Sequence, residues 1–249
     1  MDHVVIDGRP GGAEDLGLAM AARYGHFTAM QVRGGRVRGL DLHLDRLTGA
    51  TRELFGASLD RDLVLASVRR VLGGAADASV RVYVVERAGV RVIATAAPPH
   101  EWPREPLSLL SVPYARFLPH LKHLGGFPQA HLGRLAAGRG FDDALLVGAD
   151  GLISEGTIAN LGCFDGERVV WPQAPMLRGV SMGLLERALP GEHRPLRVAD
   201  LAARPLVFLS NSWGVVPVGR VDDLALKVDE DAWSRLAATF DALPWDPIV

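Results

Sequence analysis

The chain has 249 residues, enough for one large domain or two small ones around real cores. Hydrophobic residues make up 48% and charged residues 22%, the balance of a folded globular protein and not of a disordered one. A formal net charge of −2, with arginines scattered along the chain, argues against nucleic acid or an anionic membrane surface as partner.

Val4-Val5-Ile6 reads as a short strand and Asp7 to Gly12 as a turn. Phe27 to Val32 and Arg36 to Leu40 flank Arg33-Gly34-Gly35, the pattern of a hairpin. Asp41 is placed to cap a helix whose apolar positions Leu44, Leu47, Leu54 and Phe55 recur at helical spacing and which Gly56 closes. Arg61 to Leu72 reads as a second helix closed by Gly73-Gly74, and Val80 to Val85 and Val90 to Ala94 as strands. Residues 96–106 carry four prolines in eleven positions, which excludes helix and central strand and marks a linker. It divides the chain into an N-terminal domain, 1–105, and a C-terminal domain, 106–249.

Beyond the linker, Leu107 to Val112 resumes as a strand, Gln129 to Gly138 as a helix and Ala144 to Val147 as a strand ending in the hairpin turn Gly148 to Gly151. Asn160 to Phe164 and Arg168 to Trp171 are strands joined through Asp165-Gly166. Gly179 to Leu189 begins a helix, Val207 to Leu209 is a strand, and Asp229 to Leu243 is a closing helix. Strands and helices mix without βαβ alternation, so the expected class is α+β.

The single cysteine, Cys163, falls in an apolar strand, where packing is the expected role. With no internal disulfide possible, an intracellular, cytoplasmic location is the default. Met1-Asp2-His3 shows no signal-peptide pattern, and no apolar run approaches the ~20 residues a membrane-spanning helix needs. His120, His123 and His131 have no ligand spacing typical of a metal site, and no metal is expected.

Two residues carry the chemistry. Lys122 stands in the apolar run Leu121-Lys122-His123-Leu124. A desolvated lysine sheds its proton readily and can then condense with a carbonyl. Glu155 follows the tight turn at Gly151, and a carboxylate is the kind of group that keeps a pyridinium nitrogen protonated.

With these residues stand Tyr24-Gly25-His26-Phe27-Thr28, Leu42-His43-Leu44-Asp45-Arg46-Leu47, the block from Gly151 to Asn160, Leu177-Arg178-Gly179-Val180-Ser181 and the loop Ser210 to Val218. In this order they resemble the fold-type IV pyridoxal-phosphate enzymes, the class IV aminotransferase family. That family includes branched-chain and D-amino-acid aminotransferases and 4-amino-4-deoxychorismate lyases. The resemblance implies a small N-terminal α/β domain and a larger C-terminal domain with a mixed, barrel-like sheet.

It also implies pyridoxal 5'-phosphate as cofactor, Lys122 as the Schiff-base residue, Glu155 facing the pyridine nitrogen, and Arg46, Asn160, Val180, Ser181 and Ser212 as cofactor-binding residues. Guanidinium suits phosphate through its planar fork of donors, and a helix start favours an anion. Tyr24, Arg116 and His120 are candidates for the substrate pocket by position. A homodimer is implied by the resemblance.

The expected activity is that of an aminotransferase on an amino-acid-type substrate. The alternatives are a 4-amino-4-deoxychorismate lyase, which eliminates pyruvate to leave 4-aminobenzoate, and a catalytically silent relative that acts as a binding protein. Lys122-His123-Leu124 has the lyases' form, whereas Gly125-Gly126 replaces their usual Asn-Arg, and Met182 stands where many relatives carry arginine. Glycine there loosens a helical turn by about 1 kcal/mol per residue against alanine.

Overall fold

The chain first reverses at Asp7-Gly8, both with positive φ (46° and 76°), which pairs β1 (Val4–Ile6) with β2 (Arg9–Pro10). The same geometry recurs at Gly34-Gly35 (55° and 71°) and joins β3 (Gly25–Arg33) to β4 (Arg36–Val37). The computed structural model describes residues 4–12, 15 and 24–248, so the first three residues, on which the absence of a leader was read, lie outside it. By contacts the chain forms two units. The first is Met1–His100, Leu121–Gly125 and Pro244–Val249, and the second is Glu101–His120 and Gly126–Leu243.

In the first unit, α1 (Leu40–Phe55), α2 (Arg61–Leu72), β5 (Ala78–Glu86) and β6 (Val90–Ala97) complete the fold. The sheet is antiparallel, in the order Asp246–Pro247, β4, β3, β5, β6, β1, β2. Met30, Val80, Val82 and Val84 from its strands bury against Leu44, Leu47, Val64 and Val68 from the helices. Alternation along the strands and helical spacing along α1 and α2 put these residues on facing surfaces.

The start of α1 differs from the expectation. Its N-cap is Gly39 in the left-handed region (φ 67°), and Asp41 sits inside the first turn. The capping acceptor is Asp246, whose carboxylate takes the Leu40 N–H at 2.9 Å, a partner 206 positions away that local pattern cannot reveal. Gly56 closes the helix as expected, with φ 63° and its N–H on the Arg52 carbonyl.

The second unit contains β7 (Leu107–Pro113), α3 (Phe127–Ala137), β8 (Asp143–Val147), β9 (Ile153–Gly156), β10 (Asn160–Phe164), β11 (Val169–Pro172), α4 (Val180–Ala188) and β12 (Gly191–Arg194). A short 3-10 turn (Val198–Ala203), β13 (Leu206–Asn211), β14 (Gly214–Val221), β15 (Leu224–Ala225) and α5 (Glu230–Asp241) follow. The strand order is β12, β11, β10, β13, β14, β7, β8, β9, with β15 beside β14. The pairs β11–β12, β7–β14 and β7–β8 are parallel and the others antiparallel, giving a mixed sheet curled into a half-barrel. The class is α+β, as expected. Among the described residues no helix is long and apolar enough to cross a membrane.

The contact division departs from a single break at 105/106. Residues 101–105 fall with the second unit, and the Lys122 segment and the C-terminal strand fall with the first. Backbone pairing is the reason. The Lys122 carbonyl accepts from Phe27 N at 2.9 Å, and Asp246–Pro247 extends the sheet at β4.

Gly162 is where the second unit's core leaves no room for a side chain. A Cβ there would lie 2.5 Å from the Phe208 ring and 2.9 Å from Trp171, both fully buried. Gly162→Ala is therefore expected to destabilise the fold by about 1–3 kcal/mol through overpacking, measured as a lower denaturant midpoint at unchanged slope.

Candidate functional site

The Lys122 segment belongs to the sheet of the first unit. His26 and His123 form an antiparallel bridge, Phe27 N donates to the Lys122 carbonyl at 2.9 Å, and Leu124 N donates to the Gly25 carbonyl at 2.9 Å. Gly25 permits this approach, since a Cβ there would meet the Val84 carbonyl at 2.6 Å and Leu124 at 3.0 Å. Lys122 is half-buried, with Nζ 4.8 Å from the centre of the Phe27 ring, and that ring stacks on Tyr83 at 5.6 Å. An ammonium over an aromatic face gains from the ring quadrupole, and a lysine held there by its backbone is presented at a fixed place.

Two hydrogen bonds tie β3 to α1. His26 Nε2 meets Thr51 Oγ1 at 3.0 Å, and Thr28 Oγ1 meets His43 Nδ1 at 2.6 Å. One turn past His43, Arg46 donates through Nη2 to Thr28 Oγ1, with the same nitrogen 3.4 Å from His43 Nδ1. Burial, then the charges of Arg46 and Lys122, holds His43 well below the usual histidine range. Burial and Arg46 push His26 down to about 4. Both imidazoles are therefore neutral near neutral pH.

The second unit carries the acidic residue. Glu155, on β9, is buried; Oε2 accepts from Leu177 N at 3.3 Å and Oε1 lies 3.9 Å from Arg116 Nη1. Burial lowers the Arg116 guanidinium from its ordinary value while Glu155 raises it. Asn160, at the start of β10, brackets the segment that leads into α4. Its Nδ2 donates to the Leu177 carbonyl at 2.7 Å and its Oδ1 accepts from Gly179 N at 3.1 Å. A Cβ on Gly179 would stand 2.3 Å from Asn160 Oδ1, so only glycine fits.

Gly179 caps α4 with no side-chain acceptor, which leaves the Val180 and Ser181 amides at an uncapped helix start. The Ser181 hydroxyl donates to the Asn211 carbonyl at 2.5 Å. Ser210, paired with Asn160 across β10 and β13, has a buried hydroxyl with no hydrogen-bond partner among the described residues. Ser212 lies half-buried in the turn from β13 to β14.

The structure thus gathers Lys122 and Arg46 with Thr28 and His43 in the first unit, and Glu155, Asn160, Val180 and Ser181 in the second. Of the pocket candidates, Tyr24 is 60% exposed and sits edge-on to Phe55, Arg116 Nη1 lies 3.9 Å from Glu155 Oε1, and His120 is exposed. Thr28, His43 and the Leu177 amide were missed as functional groups, although Thr28 and His43 stand inside the motifs quoted above. Cys163 is buried and its thiol is pushed up to about 12 by burial, which suits packing. Among the described residues no group of three or more histidine, cysteine or acidic side chains could hold a metal.

Residues 25–221 match the profile of the family described as amino-transferase class IV. No curated protein matches the chain. Among solved structures, a hypothetical aminotransferase from Mycobacterium tuberculosis in its PLP-bound form is 24% identical with a TM-score of 0.80, over 96% of this chain and 98% of that one. A 4-amino-4-deoxychorismate lyase from Pseudomonas aeruginosa is 26% identical, TM-score 0.77, over 96% and 99%. A branched-chain amino acid aminotransferase from Escherichia coli is 18% identical, TM-score 0.82, over 99% of each.

His26 makes stability depend on pH. Its folded pKa is depressed to about 4, so the unfolded chain binds more protons below the ordinary value of 6.5. Its neutral form stabilises fully above pH 6.5, and that contribution is lost as pH falls towards 4, by at most about 3 kcal/mol. Denaturation midpoints from pH 7.5 to 4 are expected to fall less steeply in His26→Gln than in the parent.

Proposed function

Since the chain belongs to the class IV aminotransferase family, we propose that it is a pyridoxal 5'-phosphate enzyme acting on an amino-acid-type substrate, with Lys122 as its reactive amine. One observation carries this reading: Lys122 is fixed by backbone pairing over the Phe27 ring in the unit that also holds Arg46. The residues fit the cofactor. Arg46 offers a guanidinium for phosphate, and the uncapped start of α4 offers the Val180 and Ser181 amides, with Ser212 next in sequence to Asn211, whose carbonyl holds the Ser181 hydroxyl. The Ser181 hydrogen is already given to Asn211, so that residue serves through its amide.

When bound, the cofactor supplies an electron sink for bonds at the substrate's α-carbon. Lys122 would be the amine that holds the cofactor's aldehyde carbon and the group that moves the proton at the substrate's α-carbon. Glu155, which accepts from Leu177 N and lies 3.9 Å from Arg116, would keep the pyridine nitrogen protonated. Asn160 keeps the Leu177–Gly179 backbone in register for both tasks. We further propose a cytoplasmic homodimer, a state that light scattering of the purified protein tests directly.

A second reading, the lyase, is favoured by the Lys122-His123-Leu124 sequence and by the 26% identity to the Pseudomonas lyase. A half-reaction screen separates the two. Pyridoxamine phosphate formed from an amino acid supports the aminotransferase, and 4-aminobenzoate from aminodeoxychorismate, with no pyridoxamine phosphate from any amino acid, supports the lyase.

Purified protein with added cofactor is expected to show a visible absorption band that Lys122→Ala abolishes. Turnover should fall by at least about 10²–10⁴-fold, the range for loss of a positioned acid–base group. A protein that remains colourless with excess cofactor would instead be the silent binding relative.

A further inference from the structure

We propose that Thr28 and His43 are positioning residues that aim the Arg46 guanidinium, through a hydrogen-bond relay running in one direction from Arg46 to Thr28 to His43. This rests on the reading that Arg46 binds the cofactor phosphate. The direction follows from what each group can donate. Guanidinium has no acceptor, so Thr28 Oγ1 must accept from Arg46 Nη2. The hydroxyl has one hydrogen, and the group standing 2.6 Å away is His43 Nδ1. His43 Nδ1 also stands 3.4 Å from Arg46 Nη2, which can only donate, so the relay takes the tautomer in which Nδ1 accepts the Thr28 hydrogen and Nε2 carries the ring proton.

Every member is placed to hold this arrangement. Thr28 is fully buried and β-branched on β3, so its hydroxyl has few positions to occupy. His43 is 2% exposed on the buried face of α1, and Arg46 follows it by three residues on the same helix. His43 Nδ1 stands 3.4 Å from Arg46 Nη2, so the histidine backs the arginine from one side while the threonine holds it from the other. A protonated His43 would present a second positive charge to Arg46, whereas the neutral ring accepts at that position. A long, rotamer-rich side chain is thereby held at one corner of its fork, which fixes the direction of the rest.

The test compares the affinities of pyridoxal 5'-phosphate and of pyridoxal, which lacks the phosphate, by fluorescence titration. Thr28→Val keeps the shape and removes the hydroxyl, and is expected to weaken pyridoxal phosphate binding about tenfold, the scale of one hydrogen bond to a charged group, while pyridoxal binding stays within about twofold. Thr28→Ser restores the hydroxyl and should bind both as the parent does. His43→Leu, which removes the acceptor, should repeat the selective loss and serves if Thr28→Val does not fold.

Parental binding of pyridoxal phosphate in folded Thr28→Val and His43→Leu overturns the relay, as does an equal loss of both ligands. Arg46→Ala separates the two levels. A selective loss of pyridoxal phosphate there, with none in the relay variants, overturns the relay and leaves the phosphate role intact. No selective loss in Arg46→Ala overturns the phosphate role and the relay with it.

Discussion

The backbone of Lys122 is tied to the edge of β3 by two hydrogen bonds, Phe27 N to its carbonyl and Leu124 N to the Gly25 carbonyl. That edge is open because β4 is only two residues long and pairs with β3 at Val32 and Arg33 alone. In the β3–β4 register a second hairpin strand run on to Leu40 would reach Ala29 and still leave Gly25 to Phe27 uncovered. Instead α1 begins at Leu40, fastened by Asp246. The unpaired N-terminal half of β3 is then available to a five-residue segment from elsewhere in the chain. A reactive side chain must be held to within a fraction of an ångström to be useful, and pairing on a sheet edge does this better than a free loop.

The second unit solves a similar problem with a side chain in place of a sheet edge. Leu177 to Gly179 has irregular backbone, and its buried polar groups need partners. Asn160 supplies two of them, donating to one carbonyl and accepting from one amide, while Glu155 takes the Leu177 N–H. The close contact of Gly179 with Asn160 sets where α4 starts, and hence where its uncapped amides stand. The asparagine acts on the chain's course, and the chain's course acts on the helix start.

Much of this was legible from local pattern. Helix spacing over α1 and α2, paired glycines at the β3–β4 turn and Gly56 are all read from neighbours in sequence. Elements that escaped are those without a local signature. β2, β12 and β15 are short and largely exposed, β9 was quoted only for Glu155, and most of the stretch from Ser210 to Val218, read as a loop, belongs to β13 and β14, with only the turn at Ser212-Trp213 between them. The cap of α1 comes from the far end of the chain, and the place of Lys122 in the first unit follows from pairing with β3, almost a hundred residues earlier. In the site, Lys122, Arg46 and Glu155 stand out because their residue types are costly to bury. Thr28 does not, because a threonine in a strand needs no explanation until the helix above it is known. Arg116 was named for the substrate pocket by position, and its Nη1 stands 3.9 Å from Glu155 Oε1, a proximity the sequence does not show.

The electrostatics of the first unit complete the argument about what this surface prefers. Two cationic side chains, Arg46 and Lys122, act on His43, and Arg46 acts on His26 as well. Both rings respond by staying neutral, since a third positive charge in a buried setting is opposed by desolvation and by repulsion together. Burial is the larger cause in both rings, and the cationic neighbours add to it. A neutral His43 also leaves Nδ1 able to accept the Thr28 hydrogen, as the proposed relay requires.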